Sequence, residues 1–193
     1  MYLVIDCETT GLPKYRNASP GDVNNWPRVV QLAWALYDEN HTAVDSVSCL
    51  IRPEGFIIPD DVQRIHHIST ERALAEGINI VEALKTLALA AAKAKFLVAH
   101  NLDFDLKVIS AEYLRAGMEP PFAGKKQICT MQKSTEFCRI PIDGKHGFKW
   151  PKLSQLHLKL FGSDFEEAHD SGADVAACAR CFFALKEQGV ISL

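Results

Sequence analysis

The sequence predicts an α/β protein in which a mixed five-stranded sheet is flanked by helices. Three segments with the spacing of β-strands come first, and strand and helix patterns alternate after them. A hairpin followed by alternating strands and helices gives a sheet with both antiparallel and parallel neighbours. The 193 residues, 48% of them hydrophobic and 23% charged, are enough to bury a core. We therefore expect one domain over residues 1–193.

The strands are predicted from their apolar residues and from the turns that end them. The first is a continuous apolar run, typical of a buried strand, that closes at the turn Thr9-Thr10-Gly11. The next two form a hairpin joined at residues 38–41. The last two are short. The five predicted strands are residues 2–5, 28–37, 43–52, 96–99 and 127–130.

The helices are predicted from apolar spacing and from capping residues. An alanine-rich amphipathic segment over residues 80–96 is the strongest of them. The last helix, over residues 171–188, begins with Ser171 as its N-cap and ends at Gly189. Residues 14–27 are rich in proline, glycine and asparagine, which predicts a loop. The other helical segments are residues 60–65, a turn or helix from residue 69, 105–115, 131–137 and 153–161.

Composition and hydropathy predict a cytoplasmic protein without membrane contact. No basic segment precedes an apolar one at the N-terminus, and lysine or glutamate interrupts the most apolar windows before 18 residues. The six cysteines are scattered, which predicts reduced thiols. Cys178-x-x-Cys181 falls in an apolar helical pattern, which favours buried small residues over a zinc or redox pair.

Positive charge is concentrated in one segment, although the net charge is -3. In residues 125–152, seven cations outnumber two anions, and aromatic rings alternate with the last of the lysines. Such a segment suits a nucleic acid strand, with phosphates on the cations and bases on the rings. It is equally typical of a solvated loop anchored by a few rings. The cations are Lys125, Lys126, Lys133, Arg139, Lys145, Lys149 and Lys152, and the rings are His146, Phe148 and Trp150.

Two carboxylates directly follow the first apolar run. Asp6 and Glu8 are two residues apart, and side chains alternate across a strand, so both point to the same side. Like charges this close raise each other's pKa unless a cation intervenes, and oxygen ligands suit Mg²⁺ or Mn²⁺. The alternative is a turn capped by Asp6, with Glu8 in solvent. A metal site requires further carboxylates at this point.

The later candidates are weak signals when each is taken alone. Asp105 comes shortly after the fourth strand and can reach the same sheet end if the strands are neighbours, but Asp103 fits that description equally. Asp174 lies in the first turn of the last helix, and His169 lies in the loop before it. A lone histidine is usually a surface or hydrogen-bonded residue.

Together these residues resemble the three exonuclease motifs of the DEDD superfamily, in its histidine-bearing (DEDDh) branch. That branch includes proofreading exonuclease domains of bacterial DNA polymerase III and ribonuclease T. The resemblance covers nearly the whole chain, including residues 64–69 and 152–162, and it selects Asp105 over Asp103. The motifs are Asp6-x-Glu8 with Thr9-Thr10-Gly11, His100-Asn101-x-x-Phe104-Asp105, and His169-Asp170-x-x-x-Asp174.

The resemblance implies an RNase H-like fold and a metal-dependent 3'-5' exonuclease that releases nucleoside 5'-monophosphates from single-stranded DNA. It implies two Mg²⁺ or Mn²⁺ ions, both of them bridged by Asp6. Glu8 and Asp174 then serve the ion that carries the attacking water, and Asp105 serves the other. His169 is implied as the general base. The implied substrate-binding residues are Thr9, Thr10, Gly11, Leu12, Asn101 and Phe104, of which Phe104 also fits a core position.

Two other functions are open, and two features depart from the family pattern. An RNA-trimming enzyme is the alternative within the class, and a catalytically idle nucleic-acid-binding module is the alternative outside it. The module gains nothing from carboxylates that repel phosphate. The loop at residues 14–27 is longer than a minimal member requires, which affects substrate width. The sequence ends at Leu193, directly after the last helix, so we expect a stand-alone nuclease without a polymerase-docking segment.

Overall fold

The computed structural model describes residues 1–144, 146–165 and 169–193. Lys145, one of the seven cations of the basic segment, lies outside the described residues. Among the described helices, none has both the length and the apolar character needed to cross a bilayer.

A mixed five-stranded sheet forms the centre of the molecule, as predicted. Its strands are β1 (Tyr2–Thr9), β2 (Val29–Tyr37), β3 (Ala43–Leu50), β4 (Phe96–Ala99) and β5 (Lys126–Cys129). Their order across the sheet is β3-β2-β1-β4-β5, in which β1, β2 and β3 are antiparallel and β1, β4 and β5 are parallel. β1 is longer than predicted because its second half continues to pair with β2 as far as Thr9 and Val29.

The helices follow the predicted pattern with shifted ends. They are α1 (Asp60–His66), α2 (Thr70–Glu76), α3 (Ile80–Lys93), α4 (Leu102–Arg115), α5 (Thr130–Lys133), α6 (Thr135–Cys138), α7 (Leu153–Phe161) and α8 (Ser171–Glu187). α3 ends before the predicted residue 96 because Ala94 adopts the extended conformation that leads into β4. The helix predicted at 131–137 is two short helices that meet at Ser134.

Two segments predicted as loops contain regular structure. Residues 14–27 include a 3₁₀ turn, Val23–Asn25. The basic segment includes a two-stranded ribbon, β6 (Ile140–Pro141) and β7 (Phe148–Lys149).

The sheet separates two layers of helices. On one face, Ile5 belongs to the same apolar cluster as Leu87 of α3 and Ile109 of α4. On the other face, Val4 belongs to a cluster with Phe182 of α8. Cys178 and Cys181 are buried in this second cluster, and all six cysteines are unpaired, as predicted.

The alternation of side chains along β1 decides which helix layer each site residue faces. Asp6 and Glu8 continue the face that packs against α8, whereas Cys7 continues the face that packs against α4. The two carboxylates of β1 therefore point toward the helix that carries Asp174.

Candidate active site

The carboxylates of β1 lie where this strand extends beyond its parallel neighbour. β4 pairs with β1 only as far as Val4 and Val98, whereas β1 continues beside β2 to Thr9. A gap opens at the carboxyl ends of the two parallel strands, the position at which α/β sheets form ligand crevices. Asp6 and Glu8 are half-buried residues at this gap.

Asp105 enters the gap from the first turn of α4. Its Oδ1 accepts a hydrogen bond from the Cys7 amide at 3.1 Å and another from the Cys7 thiol at 3.4 Å. Asp105 is only 3% exposed. Asp103, the alternative left open by the strand pattern, points to solvent and pairs with Lys107 at 2.9 Å. The fold therefore brings Asp105, rather than Asp103, to the carboxylates of β1.

The first turn of α8 supplies Asp174. Asp170 caps this helix, because its Oδ1 accepts hydrogen bonds from the Gly172 and Ala173 amides at 2.9 and 3.1 Å. The prediction of Ser171 as the N-cap is wrong: Ser171 is the first helical residue and is fully buried. The Asp170 carboxylate satisfies the free amides and adds negative charge at the positive end of the helix.

Gln31 attaches the start of α8 to the sheet. Its Nε2 donates to Asp170 Oδ2 at 2.7 Å, and its Oε1 accepts from the Ser171 amide at 3.0 Å. Gln31 is 5% exposed and lies opposite Glu8 in the register of β1 and β2. The sequence analysis missed this residue. Its signal is a single amide side chain within the apolar run at residues 29–36.

His169 lies at the exposed edge of the carboxylate cluster. Its amide donates to Asp174 Oδ2 at 3.3 Å, and its backbone has a φ of 73°. One donor atom from each of Glu8, His169 and Asp174 lies within 4.8 Å of the other two. A left-handed conformation costs a non-glycine residue about 1–2 kcal/mol, so the surrounding structure must stabilise it here.

Burial and mutual repulsion raise the pKa of each carboxylate in the cluster. Burial, followed by the charges of Asp105, Asp174 and Glu8, raises the pKa of Asp6 well above its usual range. Burial and the charge of Asp174 raise the pKa of Glu8 to about 8. Burial raises the pKa of Asp105 to about 7 despite the hydrogen bonds from Cys7. It raises the pKa of Asp174 to about 6.

This donor set fits a divalent cation. Within the described ranges, no lysine or arginine forms an ion pair with any of the four carboxylates. The Ser171 hydroxyl is buried near Asp6 and has no hydrogen-bond partner among the described residues. Clustered carboxylates without a counter-charge are costly, and oxygen ligands with one imidazole suit Mg²⁺ or Mn²⁺.

The turn after β1 contains four of the six predicted substrate-binding residues. The Thr9 hydroxyl donates to the Gly11 carbonyl at 2.7 Å, and the Thr10 hydroxyl accepts from the Arg28 amide at 2.9 Å. Both threonine side chains therefore build the turn. Leu12 is 77% exposed, and Gly11 has a φ of 140° that disfavours a side chain. Leu12 and the backbone of Gly11 are the parts of this turn best placed to contact a ligand.

The other two predicted substrate-binding residues lie at the start of α4. Asn101 precedes the helix with a φ of 79°. Phe104 is half-buried, packs against the apolar cluster on the α4 face and lines an open cleft together with Asn101 and Leu12. Phe104 therefore has both of the positions considered for it, a core contact and a ligand-facing surface.

The structure divides the basic segment into two parts. Lys125 Nζ donates to the Ala94 carbonyl at 2.9 Å, and Lys126 Nζ lies 5.7 Å from the centre of the Phe96 ring. These two cations stabilise the sheet layer and the end of α3. Trp150, near the other end of the segment, lines the same cleft as Leu12.

The fold and the carboxylate cluster together define the DEDD class of exonucleases. The sequence model of the exonuclease family of the RNase T type matches residues 3–182. The chain therefore belongs to this family, as its motifs predict.

Two curated relatives have similar sequences. The 3'-5' exonuclease DinG of Bacillus subtilis strain 168 is 27% identical over 188 residues, which are 97% of this chain and 18% of that protein. The DNA polymerase III subunit epsilon of Treponema pallidum is 26% identical over 181 residues, which are 94% of this chain and 74% of that protein. The chain thus spans less than a fifth of the first relative and about three quarters of the second.

Solved structures of Exonuclease I share the fold. The Escherichia coli enzyme in complex with a dT13 oligonucleotide matches with a TM-score of 0.74 and 19% identity, over 96% of this chain and 40% of that chain. The enzyme from Methylocaldum szegediense matches with a TM-score of 0.75 and 20% identity, over 97% of this chain and 40% of that chain. These matches confirm the predicted RNase H-like fold.

Proposed function

We propose that this chain is a DEDDh-type 3'-5' exonuclease that hydrolyses single-stranded DNA from its 3' end and releases nucleoside 5'-monophosphates. The observation that carries the proposal is the convergence of four carboxylates and His169 at the end of β1, with no lysine or arginine paired to those carboxylates in the described part of the chain. In this proposal residues 1–193 act as one exonuclease domain in the cytoplasm, and no polymerase partner is required.

The four carboxylates would hold two Mg²⁺ or Mn²⁺ ions. Bound there, the metal lowers the pKa of a water molecule and neutralises the charge that develops on the leaving 3'-oxygen. The chain orients the ligands: the amide and thiol of Cys7 fix Asp105, and the His169 amide fixes Asp174. Since β1 holds Asp6 and Glu8 in one strand, all four ligands are set by the sheet and by two helix starts.

His169 accepts the proton of the attacking water in this proposal. An imidazole with an ordinary pKa is largely neutral near pH 7, which is the state a general base needs. The ring is exposed and lies within 4.8 Å of ligand atoms of Glu8 and Asp174, so it can meet a water on the solvent side of the cluster. Leu12 and the backbone of Gly11 contact the terminal nucleotide.

Digestion of end-labelled strands tests the proposal directly. The protein is incubated with 5'-labelled single-stranded DNA and RNA of equal sequence, in Mg²⁺, Mn²⁺ or EDTA. We expect a ladder that shortens from the 3' end, faster for DNA, in either metal and none in EDTA. Intact strands of both kinds in both metals would contradict the enzyme, and faster cleavage of RNA would replace DNA as the substrate.

A Gln31→Leu substitution is expected to lower kcat roughly tenfold, because small displacements of catalytic groups are costly. The substitution removes the hydrogen bonds that attach Asp170 and Ser171 to the sheet, and so shifts His169 and Asp174. KM should change little, because Gln31 lies outside the residues predicted to contact substrate. Steady-state kinetics on single-stranded DNA measures both constants.

The matched control for Gln31→Leu is Tyr113→Phe. It removes another buried hydrogen bond, which the Tyr113 hydroxyl donates to the Leu84 carbonyl at 2.6 Å, away from the carboxylates. Both variants should lose about 1–3 kcal/mol of folding stability, but only Gln31→Leu should lose kcat. Equal kcat values in the two variants would show that Gln31 does not position the site.

A further inference from the structure

A cleft beside the carboxylate cluster has no function in the reaction described so far. It encloses about 580 Å³ and is lined by residues from three separate parts of the chain. Leu12 and Arg16 come from the segment after β1, Phe104 from the start of α4, and Trp150 and Lys152 from the segment before α7. The volume falls in the range of roughly 300–1,000 Å³ that holds a small-molecule ligand.

The cleft adjoins the cluster without containing it. None of the four carboxylates lines the cleft, but Leu12, Asn101 and Phe104 do. A strand whose terminal nucleotide lies at the carboxylates therefore continues past Leu12 into the cleft.

The first wall of the cleft is the segment of residues 14–27, here called the 14–27 loop. Asn25 closes the loop on itself, because its side chain accepts from the Tyr15 amide at 2.7 Å and donates to the Tyr15 carbonyl at 3.0 Å. The Arg115 guanidinium of α4 donates to three carbonyls in the loop. Arg16 is therefore presented on a fastened wall.

The second wall is the segment of residues 150–152. The Pro151 carbonyl accepts a hydrogen bond from His100 Nε2 at 2.9 Å, which ties this segment to the end of β4. Trp150 is 56% exposed on this wall. Lys152 follows it, and its amide is held by the Gln155 side chain at 2.9 Å. A large indole kept in solvent by its anchored neighbour offers a face on which a base can stack.

The charges of the lining suit a phosphate backbone. Arg16 and Lys152 are exposed, and neither has an ion-pair partner in the described part of the chain. Asp103, the acidic residue of the lining, is neutralised by Lys107 at 2.9 Å. Free cations interleaved with an exposed ring are the features with which single-stranded nucleic acid is bound.

We propose that this cleft is the subsite for the nucleotides that directly precede the 3'-terminal one, with a base on Trp150 and phosphates at Arg16 and Lys152. This inference rests on the proposed exonuclease function. The two walls leave room for one strand, so the subsite selects single-stranded ends over duplex ends.

Two substrates separate the cleft from the reaction centre. The p-nitrophenyl ester of thymidine 5'-monophosphate carries only one nucleotide, whereas a 12-nucleotide single strand also fills the cleft. For Trp150→Ala and Arg16→Ala we expect KM for the oligonucleotide to rise roughly tenfold, as for the loss of one stacked base or one phosphate contact. The rate on the ester should stay at the wild-type value. Lys149→Ala is the charge-matched control, because Lys149 is exposed and lies outside the lining.

Equilibrium binding of a fluorescein-labelled single strand in EDTA measures the cleft independently of hydrolysis. We expect Trp150→Ala and Arg16→Ala to weaken this binding and Lys149→Ala to leave it unchanged. Unchanged KM and binding would overturn the subsite, and an equal loss on ester and oligonucleotide would assign the cleft to the terminal nucleotide instead. If wild-type protein hydrolyses neither substrate, the proposed function fails, and the binding data still decide whether the cleft holds a strand.

Discussion

An Asp6→Asn substitution is expected to lower the exonuclease rate about a thousandfold or more, while the fold remains intact. Asp6 lies at the electrostatic centre of the cluster, since its pKa is raised by burial and then by Asp105, Asp174 and Glu8. An amide has the same shape but cannot supply the negative charge that a shared metal ligand needs. The expected loss corresponds to roughly 4 kcal/mol of transition-state stabilisation.

Initial rates on 5'-labelled single-stranded DNA in Mn²⁺ measure this loss. Thermal unfolding in EDTA should give a Tm equal to or above that of the wild type, because the amide removes repulsion from the cluster. Asp103→Asn is the control: it changes an exposed aspartate, paired with Lys107, and should keep the wild-type rate. An Asp6→Asn variant that retained more than about a tenth of the rate would exclude Asp6 from the reaction.

The metal-free protein is expected to lose stability as the pH rises from about 5 to about 8. In the folded state the pKa values of Asp174, Asp105 and Glu8 are about 6, 7 and 8, well above the usual range near 4. Between these limits the folded protein binds more protons than the unfolded chain, so the free energy of unfolding falls with pH. The stabilising contribution of these protonated groups is complete below pH 4 and is lost as the pH passes through 6 to 8.

Thermal unfolding across this pH range, in EDTA and in Mn²⁺, tests the expectation. Bound Mn²⁺ should raise the Tm most at the upper end of the range, where the carboxylates are ionised and repel one another. Glu8→Gln should flatten the decline in EDTA, because it removes the group with a pKa of about 8. A Tm that stayed constant or rose between pH 5 and 8 in EDTA would show that these carboxylates ionise normally in the folded protein.

The sheet could be predicted because each strand carries its own signal. β1 and β4 are short apolar runs, and β2 and β3 alternate around an evident turn. The relation of Asp105 to Asp6 depended on strand adjacency, which apolar patterns leave open. Motif order therefore had to choose Asp105 over Asp103, and the structure supplies the physical reason in the hydrogen bonds from Cys7.

The parts that sequence reasoning missed depend on contacts between residues far apart in the chain. Gln31 and Asp170 are separated by 139 positions, and nothing near either one indicates the other. Ser171 was preferred as the N-cap because serine is a good cap, but Asp170, one residue earlier, is equally good and has the second partner. The order of the 14–27 loop similarly depends on Arg115, almost 90 positions later.

The helix α4 carries Asp105 in its first turn and Arg115 in its last, about 15 Å apart along one axis. The buried Glu112 near the second end binds Arg28 and Arg115 at 2.8 and 3.0 Å. One rigid element thus holds a carboxylate of the cluster at one end and the wall of the cleft at the other. A change of loop length or sequence can consequently alter which strands enter while the spacing of the reacting groups stays constant, so selectivity and chemical step can diverge independently within this architecture.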